Sequence, residues 1–299
     1  MTTIAWSKPI RMAIRGSDSR RRFLLGFAAL PLAWTQAADA DAETDRVAMW
    51  VEQFTREVDY LLDVPVPAQQ RYIAMLRKSL AEGGHPDPVA QSFVGVDRSA
   101  HVQAAFVILK APVGSWNWIG ATSVSTGKTG SFDHFLTPLG VFPHALDAPD
   151  FRALGTLNQN RIRGYGVRGR RVFDFGWQLA ERGWGKGGTS KMRLQMHATD
   201  PHVLEGRLGG VASEGCIRIP AKLNVFLDRH GILDADYEQA QAGGDVQWIL
   251  KPDRQTIDWP GRFMVIVDSQ SLVRPAWSRP PGAGSQPMGA PALPPMTAA

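Results

Sequence analysis

Near residue 100 the hydrophobic period of this 299-residue chain changes, and that change limits what it can fold into. Before it, Val47, Trp50, Phe54, Val58 and Leu61 recur three or four apart, which predicts a helix over 44–63. Pro65 and Pro67 interrupt the pattern. Tyr72, Met75, Leu76 and Leu80 predict a second helix over 68–81, closed by Gly83-Gly84. The pair reads as a small helical hairpin, packed on the main domain or preceding it as a module. After residue 100 the runs are short and β-rich. Phe106–Leu109, Trp116–Ser125, the alternating Lys191–Met196 and Phe263–Val267 each predict a strand. One helix stands out among them, over 221–230. With hydrophobic residues at 44% and charged ones at 20%, a sizeable core is affordable. The expected architecture is therefore mainly β with a few helices: a helical segment over 41–99, then a domain of strands closing on a core over 100–268. Residues 269–299 form a Pro-rich tail, with seven prolines from Pro275 onward, expected to be disordered.

The first forty residues read as an export signal. A basic region ends in Ser19-Arg20-Arg21-Arg22-Phe23-Leu24, an apolar stretch runs from Phe23 to Trp34, and an A-x-A pattern follows at Ala38–Ala40. The apolar stretch is about 12 residues, short of the roughly 20 that span a bilayer. The Ser-Arg-Arg-x-Phe-Leu string resembles the twin-arginine export signal of bacteria. The expectation is a periplasmic protein with no membrane span after cleavage; an uncleaved anchor is the alternative.

Charge argues against a polyanion partner. The net charge is +5, but residues 1–40 hold six Lys/Arg and two Asp, which leaves 27 basic and 26 acidic residues in the rest. A nearly neutral mature chain gives no footprint for nucleic acid.

Cys216 is the only cysteine. In an oxidising compartment such a thiol is either buried and inert or accessible and reactive. Its surroundings favour reactivity: it lies in Ser213-Glu214-Gly215-Cys216-Ile217-Arg218, separated by fifteen residues from His197, which sits at the end of a predicted strand. A histidine within reach can take the thiol proton and later return it to a leaving amine. The Gly215-Cys216-Ile217 backbone can aim N–H groups at an oxyanion. A metal site has little support: zinc wants three or four ligands, only His202 is near, and there is no C-x-x-C. Thr137-Pro138-Leu139-Gly140 reads as a turn or as a substrate wall, and Arg218 as a surface charge or a carboxylate ligand.

His197, the fifteen-residue gap and Ser213-x-Gly-Cys-Ile-Arg218 together resemble the L,D-transpeptidase (YkuD-like) family of bacterial cell-wall enzymes. Ser125-Thr126-Gly127 and Thr137-Pro138-Leu139-Gly140-Val141-Phe142 resemble that family's upstream motifs, in the same order. The resemblance covers about residues 100–267. It implies a β-sandwich fold and a cysteine nucleophile at Cys216, with His197 as base oriented by a backbone carbonyl. It also implies Gly215 in the catalytic turn and Ser213, Arg218, Thr137 and Gly140 in substrate binding; Glu214 joins them by its position two residues before the thiol. No metal or cofactor is implied. The implied partners are peptidoglycan stem peptides, whose acyl group passes to an amine and forms a cross-link. The same thioester chemistry with water would make a carboxypeptidase or a cross-link-cleaving hydrolase. A wall-binding domain that keeps the fold without catalysis is a third possibility. One departure stands out: many family members carry histidine where this chain has Glu214, and a carboxylate there disfavours the thiolate.

Overall fold

The computed structural model describes residues 30–282, with side chains from residue 41. Most of the leader expected over 1–40, and the tail from 283 on, lie outside the described residues. The chain divides after Ala40, and residues from Asp41 on form one compact unit. Among the described residues no helix is long and apolar enough to cross a membrane.

Helix α1 spans Leu30–Glu57 and α2 Val66–Glu82. The strands and later helices follow as β1 Gln91–Asp97, β2 Ala104–Lys110, β3 Trp116–Ser123, β4 Gly140–Pro143, β5 Phe151–Arg152, β6 Arg171–Glu181, β7 Thr189–Ala198, β8 Ile217–Ile219, α3 Ala221–His230, α4 Ala235–Ala242 and β9 Phe263–Val267. They form two sheets, ordered β3-β2-β1-β9-β4 and β5-β6-β7-β8. The protein is mainly β, with few helices.

One core joins the sheets. Val94, Val96, Val107 and Ile266 from the first meet Phe173, Leu194, Met196 and Ile217 from the second. Trp50 and Phe54 of α1 enter the same core, where both rings meet Phe226 of α3 edge-on. The other face of the first sheet, including Phe93, Phe106, Ile108 and Val265, is covered by Tyr72, Leu76 and Leu80 of α2. The central strands β1, β2 and β9 are thus buried on both faces, which is why they read as continuous apolar runs.

The helical hairpin is part of this fold rather than a separate module. Its second helix begins at Val66 because Pro67 sits in the first turn, where a missing N–H costs nothing. The first helix ends at Glu57, short of the expected 63. Residues 58–62 instead pair with β3: the Leu62 N–H donates to Ala121 O and the Ser123 N–H to Tyr60 O. The segment expected to be helical over 41–99 also contains β1, the centre of the first sheet. The Pro-rich segment is ordered at its start. Trp277 packs with Tyr72, and the Ser278 hydroxyl donates to Val102 O. One aromatic anchor and a few side-chain hydrogen bonds suffice where composition alone predicts disorder.

Candidate active site

The site lies along β7 and the turn that leads into β8. Residues alternate along β7: Met192, Leu194 and Met196 enter the core, so Arg193, Gln195 and His197 share the opposite face. β8 runs parallel to β7, with Met196 opposite Ile217 and His197 opposite Arg218. That register sets Cys216 beside Gln195, one strand spacing of about 4.8 Å from β7 and two residues along from the histidine row.

The two upstream motifs flank this turn. Ser125 and Arg218 exchange backbone hydrogen bonds, the Ser213 N–H donates to Thr126 O, and the Lys128 N–H donates to Ser213 O. Gly127 has no room for a side chain: a Cβ there would lie 1.9 Å from Phe135 O and 3.1 Å from Gly215 Cα. Gly215 itself has φ +135°, and a Cβ would meet Met192 at 2.8 Å. The turn therefore requires glycine at both positions.

Each expected site residue has a definite place. Cys216 is half-buried, and its thiol donates to Arg193 O at 3.6 Å. Burial pushes the thiol up to about 11, against the opposing pull of the Gln195 backbone N–H and the Arg218 charge; Glu214 adds to the rise. His197 is buried, and its Nδ1 contacts Ala198 O at 2.7 Å. A carbonyl only accepts, so Nδ1 carries the proton and Nε2 carries the lone pair. Burial holds this imidazole down at about 4, the Ala198 bond opposes the drop, and Arg218 adds to it. Thiol and imidazole therefore both rest neutral at neutral pH.

Ser213 acts within the turn. Its hydroxyl donates to Cys216 O at 2.5 Å and accepts the Gly215 N–H at 3.1 Å. The Gly215 N–H, expected as an oxyanion donor, is thus engaged in shaping the turn. Thr137, expected at the substrate, is fully buried instead. Its hydroxyl donates to Gly215 O at 2.7 Å and accepts the Gly127 N–H at 2.9 Å, bolting the two motifs together. Gly140 lies elsewhere. It lines a groove of about 540 Å³ between α2 and the β4–β9 edge, with Met75, Ser79 and Val141. Being three residues from Thr137 does not bring it to the thiol, because β4 leads away to pair with β9. Arg218 donates from Nη1 to Ala212 O at 2.9 Å, so it braces the turn and acts on Cys216 and His197 through its charge. Glu214 is exposed, and its carboxylate acts on both Cys216 and Arg218 through space.

Sequence reasoning missed the surroundings of His197. The Tyr165 ring meets the imidazole edge-on at 4.7 Å, and its hydroxyl donates to Gln195 Oε1 at 3.0 Å. Gln195 Nε2 donates in turn to Asp174 at 2.8 Å, and Arg193 Nε donates to both Asp174 oxygens. Gln195 and Arg193 were visible as every second residue before His197; Tyr165 comes from a loop with no motif around it. On its other side Tyr165 lines a pocket of about 290 Å³ together with Phe151, Leu154, Thr156 and Gly164. Among the described residues no group of three or more His, Cys, Asp and Glu is placed to hold a metal ion.

Comparison with known proteins adds no assignment: no family model and no curated protein matches the chain.

Proposed function

We propose that this protein is a periplasmic cysteine acyltransferase of the L,D-transpeptidase kind, acting on peptidoglycan stem peptides. The observation that carries the reading is the tautomer of His197. With Nδ1–H committed to Ala198 O, Nε2 is the basic nitrogen, on the strand beside the only thiol of the chain and two residues along from it. The likeness of Ser125–Gly127 and Ser213–Arg218 to that family's motifs gains weight because the two segments are hydrogen-bonded to each other.

In this mechanism Nε2 takes the Cys216 proton as sulfur attacks the amide carbonyl of the stem peptide. The S–C bond forms, the C–N bond breaks, and the imidazolium returns the proton to the departing amine of the terminal D-residue. With the Gly215 N–H engaged by Ser213, oxyanion donation falls to the Cys216 N–H. An acceptor amine, losing a proton to His197, then displaces the thiol and forms the cross-link. Water in place of the amine gives hydrolysis with the same residues. Glu214, exposed two residues before the thiol, favours the amine: its carboxylate draws the ammonium form, which releases one proton to solvent before the neutral amine attacks, and water feels no such pull. The test is incubation with a defined tetrapeptide stem, with and without an acceptor amine, read by mass spectrometry. Cross-linked product supports the reading, hydrolysed product alone moves it to the hydrolase, and unchanged peptide rejects it.

A further inference from the structure

The outward face of β6 and β7 carries a strip that the chemistry above does not use. After an irregularity between Asp174 and Trp177, the two strands pair Trp177 with Arg193 and Leu179 with Lys191. Trp177 is 63% exposed and Leu179 67%, although both stand on a strand paired with β7. Core-facing neighbours such as Met192 and Ala180 are buried, so the alternation is regular and the exposure is a property of this face. Isolated apolar side chains on a surface are ordinary, but a Trp and a Leu in adjacent rows make a contiguous patch of the kind that marks a contact surface. On the β7 side the patch is edged with positive charge, while Glu181 stands exposed on the same face of β6, two residues beyond Leu179. Lys191 is exposed, and the Arg193 side chain, 38% exposed, holds its guanidinium 5.9 Å from the Trp177 ring centroid. The strip also leads to the thiol: the carbonyl of the same Arg193 accepts the Cys216 S–H.

From these observations we infer that Trp177, Leu179, Lys191 and Arg193 form a subsite for an extended, carboxylate-bearing peptide segment of the acyl donor. This rests on the acyltransfer reading and deepens it by naming what the donor side recognises. From Gln195 to Lys191 the strip is about 14 Å long at about 3.4 Å per residue, enough for four residues of extended peptide. Its rows repeat every second residue, the period of side chains on one face of such a peptide. Trp177 and Leu179 receive the aliphatic parts, while Lys191 and the outer part of Arg193 receive carboxylates. Asp174, which accepts from Arg193 Nε, fixes the guanidinium in place without presenting an exposed charge of its own. The site then has two electrostatic ends: a basic strip along β7 for the donor, and Glu214 for the incoming amine.

The test measures binding apart from turnover, on the full chain carrying Cys216→Ser. The probes are a tetrapeptide stem, the same peptide with its side carboxylates amidated, and a neutral N-acetylglucosamine oligosaccharide. Trp177→Ala is expected to weaken tetrapeptide binding about tenfold, as truncation of a central aromatic contact does. Trp177→Phe should restore most of it. Lys191→Gln is expected to cost about threefold at low salt, the scale of an exposed ion pair, and nothing for the amidated peptide. Unchanged tetrapeptide affinity in both Trp177→Ala and Lys191→Gln overturns the subsite. So does a loss in Trp177→Ala confined to the oligosaccharide, which would assign the strip to sugar. These outcomes are independent of the catalytic reading, which stands or falls on acyl-enzyme formation by the wild-type chain.

Discussion

At the scale of single residues, the pH behaviour of the thiol–imidazole pair separates this site from a preformed ion pair. His197 is held down at about 4 and Cys216 pushed up to about 11, both chiefly by burial. Raising pH through about 4 frees Nε2 to accept, and the thiol keeps its proton until strongly alkaline pH. The kcat/KM profile should therefore be flat from about pH 5 through neutrality, instead of inflecting near the roughly 6.5 of a free histidine. An acid limb centred near 6.5 would show that the imidazole is not buried in the working enzyme. Glu214 is the second residue-scale case. Its charge raises the thiol, so Glu214→Gln should bring the alkylation pKa of Cys216 down. If the carboxylate also steers the amine, the ratio of cross-linked to hydrolysed product should fall in the same variant. A ratio that does not move assigns Glu214 to the turn alone.

At the scale of elements, the site depends on the joint between the 125–128 segment and the 213–218 turn. Thr137 is the bolt of that joint. Thr137→Val keeps the shape but leaves the Gly127 N–H and Gly215 O without their partner, a cost of about 1–3 kcal/mol. Thermal denaturation should show that loss, and activity should fall further than stability, because Gly215 directly precedes Cys216, the proposed nucleophile. Equal activity in the variant would mean that the turn keeps its geometry unaided. This role could not be read from the sequence, where a Thr-Pro-x-Gly string looks the same whether its hydroxyl faces substrate or a buried carbonyl. The alternation of Lys191–Met196 was legible, and it placed His197 at the end of β7 on the face of Arg193 and Gln195. The partner strand β6 was not, because the irregularity between Asp174 and Trp177 breaks its period. Nor was β1, whose two buried faces erase any alternation. Helix α3 over 221–230 was legible, bounded by Pro220 and by Gly231 in the left-handed region.

At the scale of the whole molecule, a buried charge cluster ties the sheets to the C-terminal helices. Arg171 at the start of β6 is fully buried against Asp150 and Asp234, and His144 follows β4. Both nitrogens of His144 meet acceptors, Leu233 O at 2.8 Å and Asp150 Oδ1 at 2.9 Å, so both carry protons and the ring is a buried cation. Burial alone would lower its pKa, and the charge and hydrogen bond of Asp150 outweigh that and raise it. A raised folded pKa gives stability that is complete below the unfolded value of about 6.5 and is lost as pH rises through the folded value. Tm should decline on the alkaline side, and His144→Gln should lower Tm at pH 6 while flattening that decline. An unchanged alkaline slope in the variant would move the effect to other groups. The scaffold so held serves one claim, that Cys216 is the nucleophile of an acyl transfer. Intact-mass analysis of the wild-type chain after brief exposure to a tetrapeptide stem tests it most directly. The expected result is a thioester adduct equal to the peptide less its terminal D-residue, mapped to Cys216 and absent from Cys216→Ser. A chain of unshifted mass while substrate is consumed, or an adduct on another residue, would contradict it.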